Sequence, residues 1–542
     1  MDQVVLGVDV GTGSARAAIF DLAGHRRGHA VHPIRLWQPR PGWAEQSTAD
    51  IWAAVCACVR DALAMAGPVA PIGLGFDATC SLAVAGSDGQ GVSVDPEGDP
   101  ARDVIVWMDH RATAQAERIN ATGAEVLRYV GGRISPEMQT PKLLWLREQL
   151  PAAWERAALF LDLPDWLTWR ATGDTARSLC TTVCKWTYLG HEARWDAAYF
   201  RRIGLGELAE EEFARIGTRI LPLGTTLGAG LSAAAAGELG LPAGLPVSVA
   251  AIDAHAGGIG MIGASLDGAG LDAGTAQRRL ALIGGTSSCH MAVSPEPRFV
   301  PGVWGPYLSA MLPGLWLAEG GQSATGALLD HIVRTHPAFP AVAADAGSES
   351  VFAALNARLQ SLAGGPQPVA TLTTGLHVFP DFHGNRSPRA DPGLRGMISG
   401  LDLSATADDL ALLYLATVQG IACGTRHIIE SLNAQGWAID TLLTCGGDAR
   451  NQVFLQAHAD ATGCRVVLPA EPEAVLLGAA ILGALAAGAY ADMPTAMAAM
   501  TRMGREVLPA GPDLRDFYDR KYAVHLRLHD DQMAYRQLMR EG

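Results

Sequence analysis

The sequence has no excess of positive charge. Its 41 Lys and Arg stand against 55 Asp and Glu, a formal net charge of −14. Such a balance leaves no electrostatic footprint for nucleic acid or for an anionic membrane. Charged residues make up only 18% of the chain and hydrophobic ones 49%, which excludes a disordered polymer. No apolar run reaches membrane-span length. The longest, 474–490, is rich in Ala and Gly and reads as a buried helix. The chain opens without a basic segment and apolar core, so no signal peptide is expected. Nine cysteines are scattered and odd in number, and Cys180 and Cys184 have no ligand partners nearby in sequence. Neither a disulfide framework nor a zinc site is expected, and so many free thiols point to the cytosol.

What is present is a glycine-hydroxyl loop that occurs twice, about 270 residues apart. The first is Asp9-Val10-Gly11-Thr12-Gly13-Ser14, and the second is Gly284-Gly285-Thr286-Ser287-Ser288. Each lies between two apolar runs that read as strands. A hairpin of this kind presents bare backbone N–H groups that can surround an anion. Neither loop has the lysine of the GK[ST] nucleotide loop, and no helical pattern follows directly, which excludes the dinucleotide fingerprint.

A chain of 542 residues exceeds one ordinary core, so at least two domains are expected. Strands are predicted near 4–9, 14–20 and 28–35. Ser47 or Thr48 caps a helix running to about Met65, and a buried strand follows at 72–77. The second half reads in the same order. Strands flank 284–286, an apolar run lies near 315–318, helical patterns cover 323–333 and 405–432, and a strand spans 442–444. The predicted division is 1–265, 266–500 and a helical extension over 501–542. Residues 365–375 read as a surface loop, and the stretch from Leu514 as a charged outer helix.

Several polar residues sit where packing alone does not explain them. Asp253 ends the apolar run 247–252 and precedes Ala254-His255-Ala256-Gly257-Gly258. A carboxylate at the end of a buried strand points into a crevice, although Asp is also a favoured helix cap. Asp9 lies in a buried strand, so it needs either a cation or hydrogen-bond donors. Magnesium bound through water meets that need, as does a bond to the hairpin backbone. Lys185 interrupts an apolar stretch, either to face a pocket or to snorkel outwards. Glu319 by itself reads as a helix-start charge. Asp109 and Arg111 read as a pair that shapes a pocket, and Trp107 as core. His383 and Arg386 lie on a conspicuous polar loop at 380–388, expected near a cleft but with no role assigned.

Three motifs now stand in order: Asp9-Val10-Gly11-Thr12, Gly284-Gly285-Thr286-Ser287-Ser288 and Gly446-Gly447-Asp448-Ala449-Arg450-Asn451. Together they resemble the FGGY carbohydrate kinases of the sugar kinase, heat-shock and actin ATPase superfamily. Thr79-Cys80-Ser81-Leu82, Trp107-Met108-Asp109-His110-Arg111 and Cys184-Lys185-Trp186 further resemble the branch that phosphorylates D-ribulose. The resemblance implies an α/β fold of two actin-like, ribonuclease-H-like domains, each a mixed sheet flanked by helices, around a deep cleft. It implies ATP and magnesium, the metal held by Asp9 through water, and Asp253 as general base.

On the same resemblance, Gly11, Thr12, Gly13 and Ser14 face the γ-phosphate, and Gly285 and Thr286 the β- and γ-phosphates. Gly446 and Gly447 lie against adenine, while Asn451 binds the base or caps a helix. Cys80 and Ser81 form the floor of the sugar pocket, with Lys185 and Glu319 as sugar contacts. The implied reaction converts D-ribulose to D-ribulose 5-phosphate. L-ribulose, ribitol or xylulose are alternative substrates, and an actin-like ATPase without a sugar is the alternative of another class. The expected partners are the sugar and MgATP, with no nucleic acid and no membrane, and a homodimer is left open.

Overall fold

The computed structural model describes residues 1–266, 270–364 and 368–540. The opening run Val4, Val5, Leu6 and Val8 is fully buried. That is the pattern of a strand covered on both faces. It forms β1 (Asp2–Val10), followed by β2 (Ser14–Asp21) and β3 (Arg26–Pro33). Ser47 then accepts a hydrogen bond from Asp50 N and caps α1 (Thr48–Ala66), which packs on β2 and β3. The chain returns through β4 (Val69–Ala78) and β5 (Ala251–Ile252). The sheet order is β5-β4-β1-β2-β3, with β1–β2 and β2–β3 antiparallel and β1–β4 and β4–β5 parallel. Between β4 and β5, several helices build one wall of the cleft with three strands, which the strand Glu45–Gln46 ahead of α1 joins into a separate four-stranded sheet. From β5 the chain passes directly into α2 (Asp253–Ile262).

The second sheet contains β6 (Arg279–Gly284), β7 (Ser288–Ser294), β8 (Trp304–Leu308), β9 (Trp316–Gln322), β10 (Thr441–Gly446), β11 (Arg465–Pro469) and β12 (Met503–Val507). Its order is β8-β9-β7-β6-β10-β11-β12. The inner five strands repeat the first sheet: two antiparallel pairs, then two parallel ones. The helix α3 (Ala407–Asn433), capped by Thr406, matches the predicted second-half helix. This is the expected α/β architecture of two mixed sheets with helices around a cleft.

Two helices cross between the halves. The Ala- and Gly-rich run forms α4 (Ala474–Ala486), which packs on β1, β4 and α2 of the first half. Contact there is backbone to backbone. A Cβ on Gly75 would lie 1.9 Å from Ala479 O, and one on Gly7 would lie 2.0 Å from Leu476 O. Conversely, α2 packs on β6 of the second sheet. The division at 265/266 therefore describes the chain path but not the packing.

The structure also corrects the reading of the C-terminal segment. The second sheet continues to Val507, so the extension begins with strand β12 and only then forms the predicted helix, α5 (Pro512–Leu538). Of the loop predicted at 365–375, residues 365–367 lie outside the described ones, and Val369–Thr373 is a short 3-10 helix. No helix among the described residues is long and apolar enough to cross a membrane.

Candidate functional site

The two glycine hairpins face each other across one cavity of about 370 Å³. The first tip is braced by its own half. Gly11 N donates to Ser14 O at 3.0 Å, Gln46 Nε2 donates to Thr12 O at 2.8 Å, and Trp107 Nε1 donates to Thr12 Oγ1 at 3.0 Å. The second tip closes through Gly285 N to Ser287 O at 2.9 Å. It is tied to the start of the next helix by Thr325 N to Thr286 O at 3.0 Å and Gly326 N to Gly285 O at 3.1 Å. Gly11, Thr12, Gly13, Gly285 and Thr286 line the cavity, as do Gly446 and Gly447. Gly446 must be glycine: its φ is +93°, and a Cβ there would lie 1.9 Å from Gly284 O.

Three carboxylates meet at the strand ends of the first sheet. Asp9 on β1 and Asp77 on β4 are register partners, and Asp253 follows Ile252 on the neighbouring β5. Burial and the charge of Asp9 push the Asp253 carboxyl up to about 7, and its hydrogen bond comes from Ala254 N at 2.7 Å. Burial also raises Asp9, opposed by Arg16 at 3.6 Å. Asp77 is raised well above the usual range by burial and by the neighbouring Asp9 and Asp253, and among the described residues its carboxyl meets no polar partner but that of Asp9. Asp9, with Asp77 buried beside it and without a donor of its own, offers oxygen ligands at the edge of the cleft that fit a hard divalent cation such as magnesium.

Lys185 ends the helix Leu179–Lys185 and is buried, with Nζ 3.6 Å from Glu319 Oε1 and 4.4 Å from the Trp304 ring centre. Glu319 lies on β9, not at a helix start, and its Oε2 has no hydrogen-bond partner among the described residues. Both residues line the cavity together with Asp253 and Cys80.

Two site residues sit differently from expectation, and a third, Asn451, takes the helix-cap alternative of its two expected roles. Ser81 is fully buried behind the pocket floor, where its Oγ accepts from Trp107 N at 3.1 Å. Ser14 faces an adjoining cleft with Arg16 and Glu473. Asn451 is committed to the cap of the helix Gln452–Thr462, where Oδ1 accepts from Phe454 N at 3.3 Å and Nδ2 donates to Tyr414 Oη at 2.6 Å. It does not line the cavity.

The cavity also holds residues that the sequence reading left without a role or missed. Trp107 lines it rather than filling a core, and Arg386 reaches it from the polar loop. Glu137, Trp304 and Arg16 carried no motif signal. Asp109 and Arg111 do pair, at 2.8 Å, fully buried with Glu45. Cys184, which has no ligand partner in sequence, lies 3.4 Å from His255 Nε2 and close to Glu319. The ammonium of Lys185 beside Glu319 disfavours a dication there.

A cleft lined by glycine hairpins from both halves, with buried carboxylates at the strand ends beside one of them, suits phosphoryl transfer. Family models place the chain more narrowly. The N-terminal domain of the FGGY family of carbohydrate kinases matches residues 4–260, and its C-terminal domain matches 280–487. The chain belongs to that family and is a carbohydrate kinase. An FGGY carbohydrate kinase domain-containing protein of Homo sapiens is 52% identical over 100% of this chain and 98% of its own. A D-ribulokinase of Saccharomyces cerevisiae is 40% identical over 89% of this chain and 71% of its own. A xylulose kinase structure from Rhodospirillum rubrum shares the fold, with a TM-score of 0.77 at 24% identity over 98% of this chain and 99% of that one.

Proposed function

We propose that this kinase transfers the γ-phosphoryl group of ATP to the 5-hydroxyl of a ketopentose, with D-ribulose as substrate. The carrying observation is that Asp253, the Lys185–Glu319 pair and both hairpin tips line one cavity. A 40% identical D-ribulokinase supports the choice of sugar. Lys185 and Glu319 orient the sugar hydroxyls over Cys80. Asp253 accepts the proton of the attacking hydroxyl, and a pKa near 7 suits a base working at neutral pH. The oxygen attacks the γ-phosphorus in line. Thr12 and Gly13 hold the transferred group from one side and Gly285 and Thr286 from the other. Magnesium, held by Asp9 through water with Asp77 beside it, would supply neutralising charge to the phosphates. Gly446 and Gly447 give adenine a flat backbone surface.

All nine cysteines are free, and we place the protein in the cytosol. The test is ADP release over a panel of pentuloses and pentitols, with the phosphorylated carbon assigned by NMR. D-ribulose should give the highest kcat/KM, with phosphate on C5. A higher value for L-ribulose, xylulose or ribitol would replace the substrate but not the mechanism.

A further inference from the structure

Two ion pairs span the cavity, and both are too long to be finished contacts. Lys185 of the first half faces Glu319 of the second at 3.6 Å, and Glu137 of the first half faces Arg386 of the second at 3.5 Å. Charge-assisted hydrogen bonds close to about 2.7–2.9 Å. The polarity is reversed between the pairs, so each half gives one cation and one anion. Each cation is matched by a carboxylate, which leaves these pairs no spare positive charge for an anionic sugar. Such pairs suit neutral hydroxyl groups, which accept from the cation and donate to the carboxylate.

Arg386 is held in place yet poorly satisfied. Its side chain is 8% exposed, and among the described residues its guanidinium makes one hydrogen bond, a 4.0 Å contact to Cys289 Sγ. A guanidinium has five N–H donors. It lies between Trp107 and Trp304, 5.7 and 5.6 Å from their ring centres. Room for it comes from Gly321, where a Cβ would lie 3.2 Å from its Cδ and Nη1. Glu137 is fixed as well. His110 Nε2 lies 3.4 Å from its Oε1, and the His110 ring stacks at 5.8 Å on His383, from the same loop as Arg386. Burial would raise the Glu137 carboxyl, but Arg386 and His110 outweigh it and hold it down to about 2. It is therefore an ionised acceptor at neutral pH.

Arg386 packs on Gly321, two residues along β9 from Glu319 and therefore on the same face of the strand, while Lys185 meets Glu319 itself. The buried, unpartnered Glu319 Oε2 is one acceptor there, and the open donors of Arg386 are its complement.

We propose that Arg386 and Glu137 form a second sugar subsite that binds the hydroxy-ketone end of a ketose, the end away from the hydroxyl that is phosphorylated. The Arg386 fork donates to the C2 carbonyl and the C1 hydroxyl oxygen, and Glu137 accepts the C1 hydroxyl proton. Because the two residues come from opposite halves, a bound ketose joins the halves around itself. The assignment rests on the ketopentose reading above and deepens it.

The test is steady-state kinetics on the full-length protein with D-ribulose and 1-deoxy-D-ribulose, comparing wild type with Arg386→Gln, Arg386→Lys and Glu137→Gln. A lost hydrogen bond to a charged partner amounts to about ten- to a hundredfold in affinity. KM for D-ribulose should rise by that factor in Arg386→Gln and Glu137→Gln, while KM for ATP stays within about twofold. Wild type should lose the same factor on 1-deoxy-D-ribulose, and Arg386→Gln should lose no more than about twofold on that change.

A strut between the halves would weaken both sugars alike. An undiminished preference for D-ribulose over its deoxy analogue in Arg386→Gln, or an unchanged KM for D-ribulose, overturns the subsite. Arg386→Lys keeps the charge without the fork and carries the same test if Arg386→Gln does not fold. If wild type turns over a different sugar, the D-ribulose reading fails by itself, and the same variants are measured with that sugar and its deoxy analogue.

Discussion

The two hairpins share one topology and one Gly-Thr tip, and they differ at the strand ends beside it. Asp9-Val10-Gly11-Thr12 aligns with Ile283-Gly284-Gly285-Thr286. In the first sheet the register partners at the strand ends are Asp9 and Asp77, and in the second the same places hold Ile283 and Cys445. One residue further, Val10 pairs with Ala78 in the first sheet, while Gly284 pairs with Gly446 in the second. On the proposed reading the first half offers Asp9 and Asp253 at its strand ends, for a metal and for a proton, and the second half offers bare backbone at Gly284 and Gly446, for a nucleotide. The crossing helices α2 and α4 tie the two offers into one site.

The comparison can be broken most strongly at the reacting carboxylate. Asp253→Asn should lower kcat by about 10²- to 10⁴-fold, read by coupled ADP release. On the backbone side, Gly446→Ala forces a side chain to a φ of +93° and against Gly284 O. It should cost about 2–5 kcal/mol in thermal unfolding. Asp9→Asn and Asp77→Asn should each raise the magnesium needed for half-maximal rate about tenfold, and should weaken manganese binding measured by electron paramagnetic resonance. Cys445→Ser, at the matching place in the second half, should leave both within about twofold.

The pH profile sharpens the assignment of the base. Asp253 works ionised and is protonated below its pKa of about 7, so kcat/KM should fall about tenfold per pH unit below that value. This limb should vanish in Asp253→Asn. The smallest effect belongs to Gly13→Ala. No atom lies within 4 Å of the added Cβ, so stability should stay within about 0.5 kcal/mol.

Much of the fold was legible in the sequence because buried strands and glycine turns leave local signals. The runs before Gly11 and Gly285 and the cap at Ser47 all lie where the structure has them. Strand β8 was not legible because Pro306 interrupts it, and it survives as an edge strand where a missing N–H is tolerated. Strand β12 is short, with Met503, Gly504 and Arg505 exposed, and has no apolar alternation to read. The packing of α4 on the first sheet is a long-range fact: its small residues announced a close contact but not the partner.

The candidate site divides in the same way. Asp9, Asp253 and Lys185 could be picked out because each is a polar residue in an apolar setting, and Glu319 by its match to the family. Glu137, Trp107 and Arg386 come from irregular segments far apart in sequence. Only the closed cleft, with Arg386 set 3.5 Å from Glu137, brings them together. Ser81 and Asn451 were placed by motif, but hydrogen bonds to Trp107 N and to Phe454 N and Tyr414 occupy them.

The division of labour between the halves is tested most directly by the ATP affinity of Asp253→Asn, measured by calorimetry without sugar. Chemistry in one half and nucleotide binding in the other predict a Kd within about threefold of wild type alongside the collapse in turnover. A loss of ATP affinity in step with the loss of rate would contradict it.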